Sequence, residues 1–191
     1  MKKLFASIFL LFLCNHFVAQ STYKTYSWSV AKNLSPDTVY SISFEKEKID
    51  SIPTELMNYI NLKNLYLGKN KLTKLPASFS TLNKLEILNL EKTDLIEFPM
   101  VICELPELKQ LIINRNNFTI IPYSIGKLTK LEFLDIWATP ISTFPDIFLT
   151  MKNLKRIDAR GVTHGPKFQK SWTEKLNWVT IEFEAPCTCF E

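Results

Sequence analysis

The chain has 191 residues, 46% hydrophobic and 22% charged, a balance that excludes a disordered protein. Its length is that of one domain, and with only four glycines it leaves no room for flexible linkers or a Gly-rich phosphate loop. A formal charge of +4 is too mild to point to nucleic acid, and it falls by two, to +2, if Lys2 and Lys3 are removed.

Those two lysines precede Leu4–Leu13 (LFASIFLLFL), an apolar run of ten residues. A helix needs about 20 apolar residues to cross a bilayer. The run therefore reads as the core of a secretory signal peptide over residues 1–19, cut after Ala19. Its ending, VAQ, resembles signal peptides of Bacteroidetes-type bacteria. A lipoprotein anchored at Cys14 is the disfavoured alternative, because Leu13 before it is too large for the usual motif. The mature chain, without a transmembrane segment, is expected in the periplasm, at the cell surface or secreted. Residues 20–38 read as an N-terminal cap, with a short helix around Trp28 to Asn33 stopped at Ser35-Pro36.

From Val39 the chain repeats. The same apolar frame starts again at Leu62, Leu85, Leu108, Leu131 and Leu154, each 23 residues after the last. In every coil the fourth and sixth positions (Leu65 and Leu67, Leu88 and Leu90) are apolar and alternate with other residues. That alternation predicts a short strand with one buried face. The ninth position holds Asn70 and Asn116, with Thr93 and Thr139 in alternate coils and Glu47 and Val162 at the worn ends. An amide there can satisfy turning backbone groups. Pro53, Pro76, Pro99, Pro122 and Pro145 share one later position. Five full repeats cover 39–153, and a partial sixth brings the repeat region to residue 161.

This pattern, L-x-x-L-x-L-x-x-N-x-L followed by L-P-x-x-I-x-x-L, resembles the 23-residue class of leucine-rich repeats. The resemblance implies an α/β solenoid, with a curved parallel sheet on the concave face and short helical or irregular segments on the convex one. It implies recognition, not catalysis. No single coil can bury its own apolar face, so coils must stack and both ends need covers. Residues 162–191 read as the C-terminal cap: a helix through about Leu176, a strand Val179 to Phe183, and Trp172, Trp178 and Phe183 sealing the last coil. Of the cysteines left after cleavage, Cys103 reads as a buried small hydrophobe. Cys187 and Cys189 could form a strained disulfide, join a mixed disulfide or stay reduced. A C-x-C pair lacks the ligand count of a zinc site, and no metal or cofactor is expected.

On such a scaffold the third, fifth, seventh and eighth positions of each coil point out from the sheet. The eighth carries Lys46, Lys69, Lys92 and Arg115. Like charges repel at ladder spacing, so this row is either a partner-contacting rim or a solvated edge neutralised by Glu45 and Glu91 beside Lys46 and Lys92. Phe133, Asp135 and Trp137 face Arg156, Asp158 and Arg160 on the next coil, with Ile112 beside them. Aromatic and arginine side chains in one patch are what binding energy concentrates in. Trp137 either anchors a partner or packs under a loop of the cap. Asp135 and Asp158 could share a proton, but acids beside arginines more often form salt-bridge networks. After removal of residues 1–19 one histidine, His164 at the frayed end, and no serine or cysteine at nucleophile spacing leave no catalytic constellation. The expected function is a non-catalytic module binding another protein through its concave face. The alternative is a glycan-binding or cell-envelope structural protein, for which Tyr66, Asn89 and Trp137 would supply an aromatic and amide surface.

Overall fold

A computed structural model describes residues 22–161 and 164–184. The expected signal peptide, Cys14, Val162 and the Cys187–Cys189 pair lie outside these residues. Among the described residues one parallel sheet runs in chain order: β1 Tyr26–Ser27, β2 Ser41–Ser43, β3 Asn64–Tyr66, β4 Ile87–Asn89, β5 Gln110–Ile112, β6 Phe133–Asp135, β7 Arg156–Ala159 and β8 Thr180–Phe183. Its register follows the repeat frame. Ile42, Leu65, Leu88, Leu111, Leu134 and Ile157 stand opposite one another and are fully buried.

Each repeat proline caps a five-residue 3-10 helix: Thr54–Asn58, Ala77–Thr81, Met100–Glu104, Tyr123–Lys127 and Asp146–Thr150. The ring fixes φ, and the proline carbonyl takes the N–H three residues on, as in Leu56 to Pro53 at 3.1 Å. With about three residues per turn, side chains three apart share a face. That face points inward: Leu56 and Tyr59, Phe79 and Leu82, Ile102 and Leu105, Ile125 and Leu128, Phe148 and Met151 are all buried. Sheet and 3-10 helices thus enclose one core.

Between strand and proline the chain turns sharply. The eighth position is left-handed in every coil, with φ of 63° at Lys46, 60° at Lys69, 49° at Lys92, 55° at Arg115, 50° at Ala138 and 67° at Gly161. This conformation costs a residue with a Cβ about 1–2 kcal/mol. In return its N–H reaches the seventh carbonyl of the next coil: Lys69 to Glu91 at 2.7 Å, Lys92 to Asn114 at 2.9 Å, Arg115 to Trp137 at 2.9 Å. The basic row is therefore laid out by backbone geometry, which the spacing alone did not reveal.

Charges also run along the stack. The second positions alternate as Lys63, Glu86, Lys109, Glu132 and Lys155, with Glu86 bonded to both Lys63 and Lys109, and Lys155 to Glu132 at 2.7 Å. Burial alone would raise the Glu86 carboxyl, but its bonds to Lys109 and Lys63 bring it below its ordinary value.

Elements outside the repeat frame pack on both ends of the stack. Trp28, in the short helix α1 (Trp28–Ala31), stacks on Phe44 at 5.1 Å, and β1 adds an edge strand that the sequence reading lacked. At the other end α2 (Pro166–Lys175) buries Trp172, and β8 continues the sheet. His164 is not frayed. It is buried at 7% exposure, stacked on Phe168 at 4.0 Å and edge-on to Phe144 and Phe183. No helix among the described residues is long and apolar enough to cross a membrane.

Candidate functional site

The ends of β4 to β7 turn outward around a groove of about 580 Å³. Asn89, Ile112, Phe133, Asp135, Trp137, Arg156, Asp158 and Arg160 all line it, while Tyr66 lies outside, one coil toward the N-terminus beside Asn89. Glu91, Asn114 and Glu184 line it as well. Glu91 and Asn114 occupy seventh positions and were legible as such. Glu184 follows the cap strand, where the 23-residue spacing no longer applies.

Outward-pointing positions are less open than their frame implies. At a strand separation of about 4.8 Å, neighbouring side chains cover one another. Ser41, Asn64 and Ile87 in the third position are buried, as are Ile112 at 6%, Asn114 at 5% and Asp158 at 4% exposure. The fifth position carries a structural duty besides. Ser43, Asn89, Asp135 and Asp158 each accept the backbone N–H two residues on, at 3.2, 2.7, 3.0 and 3.2 Å. These bonds hold the turn that ends each strand.

The arginines are held internally. Arg156 makes two bonds to Glu182, at 2.9 and 3.0 Å, and its guanidinium lies 5.1 Å from the Phe133 ring centre. Arg160 grips Asp158 through Nε at 3.0 Å and Nη2 at 2.6 Å. Neither Glu182 contact was anticipated, because β8 enters the sheet only after α2. Arg160 was expected to be the cationic neighbour of Trp137. Arg115, placed in the basic row, covers the indole with its guanidinium 4.3 Å from the ring centre. The indole nitrogen also lies over Gly161, where an added Cβ would come within 3.2 Å of it. Trp137 is half-buried.

The basic row is not neutralised by the acids adjacent in sequence. Glu45 and Glu91 reach across coils to Lys69, at 2.9 and 3.5 Å, and Glu91 also approaches Arg115 at 3.8 Å. A left-handed residue turns its side chain away from the one before it, so the neighbouring coil offers the nearer partner. Lys46 and Lys92 are exposed.

Asp135 differs from its neighbours. Oδ1 accepts the Trp137 N–H and Oδ2 the Asn114 amide at 2.6 Å, both neutral donors. Burial pushes its carboxyl above the usual range, and the Trp137 and Asn114 bonds pull it only partly back. Asp158, opposite it in register, adds to the upward push. Among the described residues no group of three or more His, Cys, Asp or Glu is placed to hold a metal ion. Cys103 is buried and unpaired, and accepts a bond from Ser124 at 3.4 Å.

Solved structures share this architecture. A leucine-rich repeat protein of Leptospira interrogans superposes with a TM-score of 0.58 at 25% identity, over 71% of this chain and 41% of that one. The leucine-rich repeat ectodomain of the plant membrane receptor kinase GASSHO1/SCHENGEN3 from Arabidopsis thaliana, in complex with Casparian strip integrity factor 2, superposes with a TM-score of 0.61 at 25% identity. That match covers 76% of this chain and 18% of the ectodomain. The chain thus spans less than half the length of either structure. No curated protein matches it. Residues 42–178 match the family described as leucine-rich repeat region. With that match over the stacked coils and the first part of the C-terminal cap, the chain belongs to the leucine-rich repeat family.

Proposed function

We propose that the chain is an exported, non-catalytic recognition module that binds another protein through the outward face of its sheet, centred on Trp137. One observation carries this reading: eight of the nine sheet-face residues singled out by spacing line a single groove, with Trp137 and Phe133 in its wall. An arginine stacked over each ring pre-orders both aromatics, which lowers the entropy lost on binding. The plant ectodomain, a member of the same fold, was solved in complex with a factor, which supports a recognition role for this fold. Export rests on the apolar run Leu4–Leu13 and cleavage after Ala19.

Crosslinking the exported protein in its own cells, with wild type and Trp137→Ala side by side, tests the reading. A partner captured by the wild type and lost by a folded Trp137→Ala protein is the expected result. For a purified partner the substitution should weaken binding by about 2 kcal/mol or more, as for a large aromatic at a desolvated centre. Unchanged capture would move the binding surface off the sheet face.

A further inference from the structure

We infer that the groove, if it is the recognition surface proposed above, selects a basic side chain of the partner, an arginine or lysine, and seats it against Asp135. The arginines on the wall suggest the opposite preference until their partners are counted. Arg156 is neutralised by Glu182 and Arg160 by Asp158, each through two bonds. Glu91 is shared between Lys69 and Arg115. What remains is acid: Asp135 and Glu184 both line the groove and accept bonds from neutral donors, Asn114 and the Trp137 N–H for Asp135 and the Gly161 N–H for Glu184. The attraction Asp135 feels from Arg160 comes from a guanidinium already gripped by Asp158. The groove wall carries four acids, Glu91, Asp135, Asp158 and Glu184, against two arginines, on a chain whose net charge is +4.

A second observation points the same way. Asn114, only 5% exposed, lines the groove and spends its amide N–H on Asp135, while its own carbonyl oxygen has no hydrogen-bond partner. A buried acceptor left without a donor carries its full desolvation cost. A guanidinium or ammonium brings several donors and a positive charge together, and so answers both the lone acceptor and a carboxylate hydrogen-bonded only by neutral donors. An incoming carboxylate would do neither. The aliphatic stem of a long basic side chain would lie along Trp137 and Phe133.

Three capped pentapeptides provide the probe: two alanines on each side of a central arginine, citrulline or glutamate. Each is titrated to about 10 mM against the full exported chain, following the Asn114 side-chain amide and the Trp137 indole N–H by NMR. The arginine peptide should move both signals and saturate at least about five-fold more tightly than its neutral citrulline isostere, with the glutamate peptide weakest. Asp135→Asn should remove that preference. It keeps the acceptor for the Trp137 N–H, and a flipped Asn114 amide can face the new one. Glu184→Gln, at an exposed site, should narrow the preference without any risk to folding. If citrulline or glutamate moves the groove signals as strongly as arginine, the selectivity is overturned and the groove still stands as a recognition surface. An arginine preference that survives Asp135→Asn overturns the assignment to that carboxylate. If no peptide moves the groove signals, the cation site falls, and the Trp137→Ala crosslinking comparison decides the recognition reading on its own.

Discussion

Asn116 Oδ1 accepts both the backbone N–H of Thr93, at 3.2 Å, and its hydroxyl, at 2.8 Å, one full coil away. The amide nitrogen of the same Asn116 donates to the carbonyls of Leu90, Ile113 and Asn114. One buried side chain therefore satisfies backbone on two coils at once. Asn116→Leu should cost about 3 kcal/mol, since each orphaned buried group costs about 1–3 kcal/mol. Urea unfolding measures it. A cycle with Thr93→Val should show a coupling of about 1 kcal/mol, as neighbours in one network do. Additive losses would mean the two side chains act separately.

Leu88 is fully buried in β4, so Leu88→Ala should destabilise by about 2–5 kcal/mol. Lys92 is exposed and left-handed, at φ 49°. Lys92→Ala should shift stability by less than about 0.5 kcal/mol, as at other surface sites. Lys92→Gly should be stabilising by a fraction of the roughly 1–2 kcal/mol that a Cβ costs in this conformation, the rest going to unfolded-state entropy. Denaturant midpoints of the three variants decide it; a destabilised Lys92→Gly protein would show that the turn carries no strain.

Deleting residues 165–191 removes α2 and β8, leaving β7 as an open parallel edge and uncovering Phe144 and Ile157. Unpaired strand edges and bare solenoid ends drive association. Light scattering of the truncated protein should report aggregates, whereas a soluble monomer with cooperative unfolding would contradict the capping role.

His164 titrates below its ordinary value because burial disfavours the imidazolium. The unfolded chain then binds the proton more readily, so stability is level above about pH 6.5 and declines as pH falls through that value. One proton limits the slope to about 1.4 kcal/mol per pH unit. Stability between pH 7 and 5, compared with His164→Phe, should isolate this slope. A wild-type curve parallel to that of the variant would rule out a buried neutral imidazole.

Leu65 and Leu88 were legible because each touches its own equivalent one coil on, and such contacts can be found by counting. The same counting assembled most of the groove wall. It failed where a contact leaves the frame. Glu182 sits 24 residues from its register partner Asp158, after an intervening helix, so the two hydrogen bonds it accepts from Arg156 had no signal in the spacing. It also failed where backbone conformation redirects a side chain: beside the left-handed turns, Glu45 and Glu91 pair with Lys69 of a neighbouring coil, and Arg115 lies on Trp137. Asn89, Asp135 and Asp158 were recognised as sheet-face residues, but their role in holding the strand-ending turns depends on dihedral angles that residue types do not specify.

The alternation of Lys63, Glu86, Lys109, Glu132 and Lys155 gives the stack a parity. Excising one coil, such as residues 85–107, would set Lys63 directly beside Lys109. It would also place Asn116 against Asn70 in place of Thr93. Excising two consecutive coils restores both alternations. By this chemistry the smallest unit in which such a chain can lengthen or shorten without introducing a clash is a pair of coils, and a gene that gains or loses repeats singly would have to repair two ladders at the junction.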